Sequence, residues 1–499
     1  MTTSSETTEQ STELRAEIDF SVRHPVMFFF TSAAAWLGVA LILGLLFSVK
    51  SFAPEGVWWL PFDQDQSFLN PGKLYGAQMG ALIFGWAVQA SLGLIIWLTS
   101  RLTRKTVKNP GIPLVLGHIW NLVLGLGVFA ILAGGGSGRP WMELPQGIYP
   151  ALMFCYMGVI ITPLIQFHVR ERKEEFISQW YINMAIVLFP VVLAVGYVFS
   201  FEDLSSPLMA AAGNAWYRSA IVYLFLIPAS VSALYYLVAK ITGRPIFSYP
   251  LSSAAMWAYI IIAPWAGIEK LSGAPIAQFI PNIGAVAKML LLIPFTLIAY
   301  NVIKTVSKEN DIFKKSPSLQ FVIAGAVLFV VLGVVNFLIN IPSALSLTQF
   351  TVAQHGIDML AILGAVSFTL FGAIYFIVPR ITRREWISSD LIRKHYIFVI
   401  YSCIVIVSGL IFGGLMEGKR QDQYLMPWLT NVTESTNTWY IASAIAYALF
   451  IFANLFFFLQ LLAMWAGLGK VGSEATLYEV HHDELAHGAD STEEDLENE

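Results

Sequence analysis

Apolar runs of about 20 residues or more, broken by polar turns, recur along the whole chain. They fall at about 26–49, 74–100, 112–134, 148–168, 178–200, 217–239, 251–270, 281–303, 318–341, 350–378, 392–416 and 438–468. A helix needs about 20 predominantly apolar residues to cross a bilayer. Backbone groups in lipid must find their hydrogen bonds inside the protein, and long runs with few turn signals do this as helices. The pattern predicts an all-α integral membrane protein with twelve transmembrane helices over 25–470. A polar leader (1–24) and an acidic tail (471–499), both expected to be disordered, flank them.

The polar turns alternate in character. RLTRKTVK, HVRERKEE, KITGRPI, KTVSKENDIFKK and PRITRREW, with the bases that follow it, hold 18 of the 29 Lys and Arg, and eight lie in the opposite loops or inside spans. Those opposite loops are long, aromatic and proline-rich, as in APEGVWWLPFDQDQSFLNP. The positive-inside rule then places both termini in the cytoplasm, in a bacterial inner membrane. The pair Trp58 and Trp59 reads as part of an interfacial aromatic belt, and AGGGSG after the third span as a tight turn. Asn431, Val432 and Thr433 match a glycosylation sequon, a weak signal alone. The first run lacks a small-residue cleavage site and is expected to stay as an anchor.

Composition agrees: 56% of residues are hydrophobic and 12% charged, against about 25% charged in soluble domains. Mean hydropathy is +0.65. The net charge of −4 hides a division, because residues 1–20 and 471–499 hold 15 of the 33 acidic residues and a single base, Arg15. No nucleic-acid patch, phosphate-binding loop or nucleophile motif is present. The histidines of HHDELAHGAD near the C-terminus lack the surrounding groups that orient metal ligands. Cys155 and Cys403 both fall in apolar runs and are expected to pack rather than pair.

The segment WYRSAIVYLFLIPASVSALYYLVAKITGRPIFSYPLSSAAMWAYIIIAPWAGIEK, from Trp216 to Lys270, resembles without a gap the metal-bearing core of subunit I of haem–copper oxidases. The resemblance is to the cbb-type oxidases first, with nitric oxide reductases as cousins. PGKLYGAQMGALIFGWAVQA is similar to the span that ligates the low-spin haem, with Lys73 and IFGW in place. GSGRPWMELP, ERKEEFISQWYINM, FGAIYFIVPR and LTQFTVAQHG extend the likeness over about 20–470. It implies a twelve-helix subunit I fold and assembly with other membrane or cytochrome subunits.

At the family's ligand positions the chain departs from the pattern. The low-spin haem histidine is matched by Gln78, the copper ligand of span 6 by Ser219, and the histidine pair of span 7 by Glu269 and Lys270. The cross-linking tyrosine is matched by Ala263, and span 10 holds one histidine, His355, with no His-x-His. A low-spin b haem needs two strong axial donors, and a copper site of this kind needs three imidazoles. No haem or copper is therefore expected. Haem b on His118 or His355 is the exception, although these two stand near opposite ends of their spans. His168 and His395 stand among bases.

Charges inside spans are expensive and face an interior or a pathway. Arg218, Glu269, Lys270, Lys288 and Asp358 are the ones here. Lys288 and Asp358 stand about eight residues into their spans, roughly 12 Å deep. Lys288, Asp358 and Glu269, with Lys270 as a further member, are expected to form salt bridges where the family holds metals; the alternative for Arg218 and Lys270 is to snorkel to the outer interface. The charges repack a vacated cavity or relay protons; repacking is the plainer account.

Three functions are consistent with this. One is a haem- and copper-free homologue of oxidase subunit I, serving as a membrane subunit or scaffold in a respiratory-type complex. Another is an active terminal oxidase or nitric oxide reductase subunit with non-standard haem ligation. The third is a proton or ion conductor, or a transporter, using the former cavity.

Overall fold

The computed structural model of the protein describes residues 4–53, 68–170, 175–202, 206–307, 310–421 and 428–471. Twelve helices there are long and apolar enough to span a membrane. They are α1 (Ser4–Phe52), α2 (Pro71–Thr103), α3 (Gly111–Gly135), α4 (Ile148–His168), α5 (Ile177–Phe201) and α6 (Pro207–Thr242). Then follow α7 (Tyr249–Leu271), α8 (Phe279–Val306), α9 (Pro317–Ile339), α10 (Val352–Thr382), α11 (Ser389–Gln421) and α12 (Trp428–Trp465). Asn310–Lys315 and Pro342–Thr348 form short helices in the turns.

Several helices begin before their apolar run because a local cap starts them. Asn70 accepts from the Gly72 amide ahead of Pro71, and Ser206 accepts from the Met209 amide ahead of Pro207. A polar oxygen at the cap and proline in the first turn are the standard start signal, since proline lacks an amide that would have gone unbonded anyway. The α6 helix thus begins ten residues ahead of the apolar stretch at 217.

The leader expected to be disordered is helical from Ser4 onward as the first part of α1. Ile18 and Val22, four residues apart on one face, are buried, and Asp19 between them accepts from Trp97 and faces Arg101. Apolar spacing and an ion pair thus anchor a segment whose composition reads as polar. Trp58 and Trp59, and the C-terminal tail with its three histidines, lie outside the described residues.

Three helices form the centre. The most apolar window of α2 and of α10 is wholly buried and that of α6 is 94% buried, while the other nine span 33–56%. The α2, α6 and α10 helices touch one another; α12 packs on both α1 and α11, and α3, α4, α5, α7, α8 and α9 continue the outer layer.

Each central helix widens to i+5 hydrogen bonding, at Ala81–Ala87, Ile221–Leu226 and Leu360–Val366. Such a segment leaves a carbonyl without its usual partner, and away from water that group must be met from elsewhere. Trp120 of α3 donates to the Phe84 carbonyl at 3.0 Å, and the Tyr259 hydroxyl of α7 donates to the Tyr223 carbonyl. In α10, Ser367 donates to the Ile362 carbonyl at 2.7 Å and accepts from Trp86 of α2 at 2.7 Å. The widened segments are therefore tied across helices.

The first and last described segments meet the same, basic end of the bundle. Arg101 donates to the Arg15 carbonyl, and the Glu385 amide donates to the Lys470 carbonyl. Cys155 and Cys403 are buried and unpaired, as expected. Gly134 and Gly138, in the turn after α3, adopt φ of 97° and 69°, values that favour glycine.

The opposite end is fastened where α11 meets the start of α10. A Cβ on Gly414 would overlap the Ala353 amide and sit 2.6 Å from its Cβ. Glu417 accepts from the Val352 amide at 2.9 Å. Gly414→Ala should therefore cost about 1–3 kcal/mol through forced backbone displacement, read as a lower unfolding midpoint in mixed micelles. Gly125→Ala, with nothing within 4 Å of the added carbon, is the control and should leave the midpoint in place. Equal midpoints for the two variants would contradict this packing.

Candidate functional site

The α7 helix does not run straight to Lys270. It ends at Ile262, turns once more at Ala263–Trp265, and restarts as a tight turn at Ile268–Leu271. Pro264 has no amide to continue the helix, and Gly267 has φ of 115°, a left-handed value that disfavours any side chain. A Cβ on Gly267 would also stand 2.9 Å from the Ser219 Cβ. Trp216 donates to the Pro264 carbonyl at 2.9 Å, and the Gly267 amide donates to Glu269 Oε2 at 2.6 Å.

This break sends two adjacent side chains to different helices. Glu269 Oε1 lies 2.8 Å from Lys288 Nζ of α8, and both side chains are only 3% exposed. Gly284 lets α8 approach, because a Cβ there would fall 2.5 Å from the Glu269 nitrogen. Lys270 Nζ instead lies 3.7 Å from Asp358 Oδ1 of α10, and Arg218 of α6 donates to Asp358 Oδ2 at 3.4 Å. The expected salt bridges therefore form, but as two units rather than one chain. Arg218 and Lys270 do not reach for the interface; both are paired inside.

The loop between α3 and α4 covers the second unit. Trp141 lies 5.6 Å from both the Arg218 guanidinium and Lys270 Nζ. Its indole donates to Tyr75 at 3.2 Å, and Asn214 donates to the Pro140 carbonyl. Glu143, whose chemistry the sequence reading overlooked, tucks against α2, where a Cβ on Gly76 would be 2.8 Å from its Cγ. Burial pushes the Glu143 carboxyl up to about 7, against opposing backbone hydrogen bonds and the Arg218 charge. A lone acid among Trp141, Met142 and Leu144 was the available signal.

His355 stands beside this unit. It is 7% exposed, its ring is 5.0 Å from that of Tyr75, and neither ring nitrogen has a hydrogen-bond partner among the described residues. It lines a cavity of about 320 Å³ together with Arg218, Lys270, Gln354 and Glu417. His118 is at the other end of the bundle, exposed on α3 and stacked on Phe28 at 4.1 Å. These two histidines do not share a site. His395, read as one of a cluster of bases, is fully buried, bonded to Tyr375 at 2.9 Å and stacked on Phe457.

The other residues that the resemblance matches to ligand or cross-link positions are packed. Gln78 is 1% exposed and donates to the Tyr447 hydroxyl of α12 at 3.1 Å. A Cβ on Gly44 would lie 2.5 Å from its amide nitrogen, so α1 presses directly on this side chain. Ser219 is 2% exposed against Gly267, and Ala263 is 1% exposed. Among the described residues no three His, Cys, Asp or Glu stand together as a metal site. An amide, a hydroxyl, an ammonium and a carboxylate already held by a lysine fit neither the axial pair of a b haem nor the imidazole set of copper.

The sequence profile described as Cytochrome C and Quinol oxidase polypeptide I matches residues 24–468. The chain belongs to that family. It is 24% identical over 452 residues to a cytochrome c oxidase subunit 1 homolog of Azorhizobium caulinodans, covering 85% of this chain and 79% of the relative. A cbb3-type cytochrome c oxidase subunit of Stutzerimonas stutzeri is 23% identical, over 72% of this chain and 77% of its own. In fold, the chain is similar to a cryo-EM structure of a haem–copper terminal oxidase dimer, with a TM-score of 0.71 at 14% identity over 91% of this chain and 86% of that one. The protein is thus a twelve-helix, cbb3-type-like subunit I homologue.

Two outcomes follow from the site. Glu269→Gln or Lys288→Met alone should cost about 3–5 kcal/mol, because each strands a buried charge or its polar partner, while Leu at both positions should be nearly neutral or stabilising. Unfolding midpoints in mixed micelles measure this, and unchanged midpoints for the single variants would refute a stabilising pair. Glu143 supplies a pH dependence. Its folded pKa lies above the usual carboxylate value of 4.5, so its contribution is fully present below about pH 4.5 and lost as pH rises through about 7. The loss should be about 3 kcal/mol, and Glu143→Gln should flatten that part of a stability-against-pH curve.

Proposed function

We propose that this chain is a haem- and copper-free homologue of cytochrome c oxidase subunit I that serves as a membrane subunit or scaffold in a respiratory-type complex. The observation that carries the proposal is the Glu269–Lys288 ion pair at 2.8 Å, formed by a residue that stands where the resemblance places a copper-binding histidine. A carboxylate closed on a lysine is a poor donor to a cation, and the ammonium repels one. Gln78 and Ser219 add only neutral, weak donors. The two charge units, each closed on its own partners, favour repacking over proton relay.

On this reading both termini and the five basic turns face the cytoplasm of an inner membrane, by the positive-inside rule. Partners are other membrane or cytochrome subunits, for which α3, α4 and α5 offer broad apolar faces. Leu122, Leu126, Phe129 and Phe154 are each more than half exposed there, consistent with contact to lipid or to a neighbouring subunit.

The reduced-minus-oxidised visible spectrum of the purified protein, together with its iron and copper content, tests the proposal. A flat spectrum and far less than one metal per chain are expected. A b-type α-band at stoichiometric haem would overturn it in favour of an oxidase or reductase subunit with non-standard ligation.

A further inference from the structure

At the basic end of the bundle, α1, α2, α5, α6, α7 and α10 leave a cavity of about 580 Å³ between them. That is within the roughly 300–1,000 Å³ of small-molecule sites. Six cations line it: Arg15, Arg101, Arg104, Lys240, Arg244 and Arg380. Among the described residues no carboxylate lines it. The positive-inside bias explains why bases gather at this end, but not why they converge from five separate segments on one cavity.

Two of the arginines are fixed in place. Arg380 donates to the Phe376 carbonyl at 2.7 Å, and its guanidinium lies 3.4 Å from the Phe376 ring centre. Arg101 lies over Trp97 and 3.6 Å from Asp19, which approaches from outside the lining. Arg104 adopts φ of 54° at the end of α2, a left-handed cap that few side chains take. Among the described residues Arg104 and Arg380 form no salt bridge, although the Asp19 charge also acts on Arg380. The other wall is apolar, with Leu14, Ile18, Leu102 and Phe176.

We propose that this cavity binds a phosphate-bearing anion with an apolar body. Arginine forks match phosphate oxygens two at a time, and an anion relieves the repulsion between Arg101 and Arg380, which act on each other as like charges. The apolar wall suits acyl chains or another hydrophobic moiety next to the phosphate. An anionic phospholipid and a soluble phosphate compound share this chemistry.

The test uses the full chain, delipidated in neutral detergent, with lipid adducts counted by native mass spectrometry. Phosphatidylglycerol, phosphatidylcholine and inorganic pyrophosphate are the probes. Saturable binding of phosphatidylglycerol over phosphatidylcholine is expected, weakened about tenfold or more in Arg15→Gln/Arg104→Gln, since each charge-assisted hydrogen bond lost is worth roughly a factor of ten. Both side chains are at the surface end of the cavity, and Arg104→Gln alone serves if the double variant misfolds. Binding of pyrophosphate without phosphatidylglycerol would assign the site to a soluble phosphate compound. Binding of neither, or equal binding by parent and variants, would overturn the proposal.

Discussion

The bundle depends on how the backbone carbonyls of its three central helices are satisfied. Their apolar windows are buried among the other helices, so each widened turn must find a donor inside the protein. Trp120, Tyr259 and the Trp86–Ser367 pair provide it at Phe84, Tyr223 and Ile362. Every one of these links joins different helices or is itself held by a second helix. The same bonds that satisfy the backbone therefore set which faces of α2, α6 and α10 look inward. The charged residues of the site inherit their directions from that choice.

Most of the frame was readable from hydropathy. Twelve runs predicted twelve helices, because the bilayer leaves a chain few other ways to satisfy its backbone. The ends were harder to place. Caps at Asn70 and Ser206 and the ion pair of Asp19 lengthen helices into polar sequence, where an apolar window sees no signal. The site was legible in depth but not in direction. Counting residues along a helix puts Lys288 and Asp358 at similar levels, yet pairing is decided by rotation about the axis. The break at Pro264 and Gly267 changes that rotation for Glu269 and Lys270. Both residues are visible in the sequence, but their effect is three-dimensional: the carboxylate joins Lys288 and the ammonium joins Asp358.

The charge pairs explain how such a frame remains folded with these side chains in it. Burying an ion costs several kcal/mol, and only a close partner offsets it. Glu269 meets both demands, with Lys288 on one oxygen and the Gly267 amide on the other. Asp358 does so by taking Arg218 and Lys270 together, with the Trp141 ring beside both cations. A pair of this kind adds little net stability over apolar packing. What it supplies is register: α6, α8 and α10 each contribute one charged group, and α7 two, to partners on another helix. Cross-linking of helices, which bound metal would also accomplish, is in this reading done by opposite charges.

The two ends of the bundle treat charge in contrary ways, and the membrane accounts for the difference. Toward the end that holds His355, the charged groups inside the bundle are each set against a group of opposite sign, with three cations sharing two carboxylates, since an unpaired buried ion would be costly. At the basic end, like charges collect around an open cavity within reach of water and lipid headgroups. Solvent and salt lower their mutual repulsion there, with a screening length of roughly 10 Å at moderate ionic strength. Among the described residues Arg104 and Arg380 form no salt bridge, and both stay partly exposed to that medium. The same arrangement makes them available. A cation closed in a salt bridge must lose its partner to bind an anion, whereas Arg380, held by a carbonyl and a ring face with Asp19 acting only at longer range, loses much less.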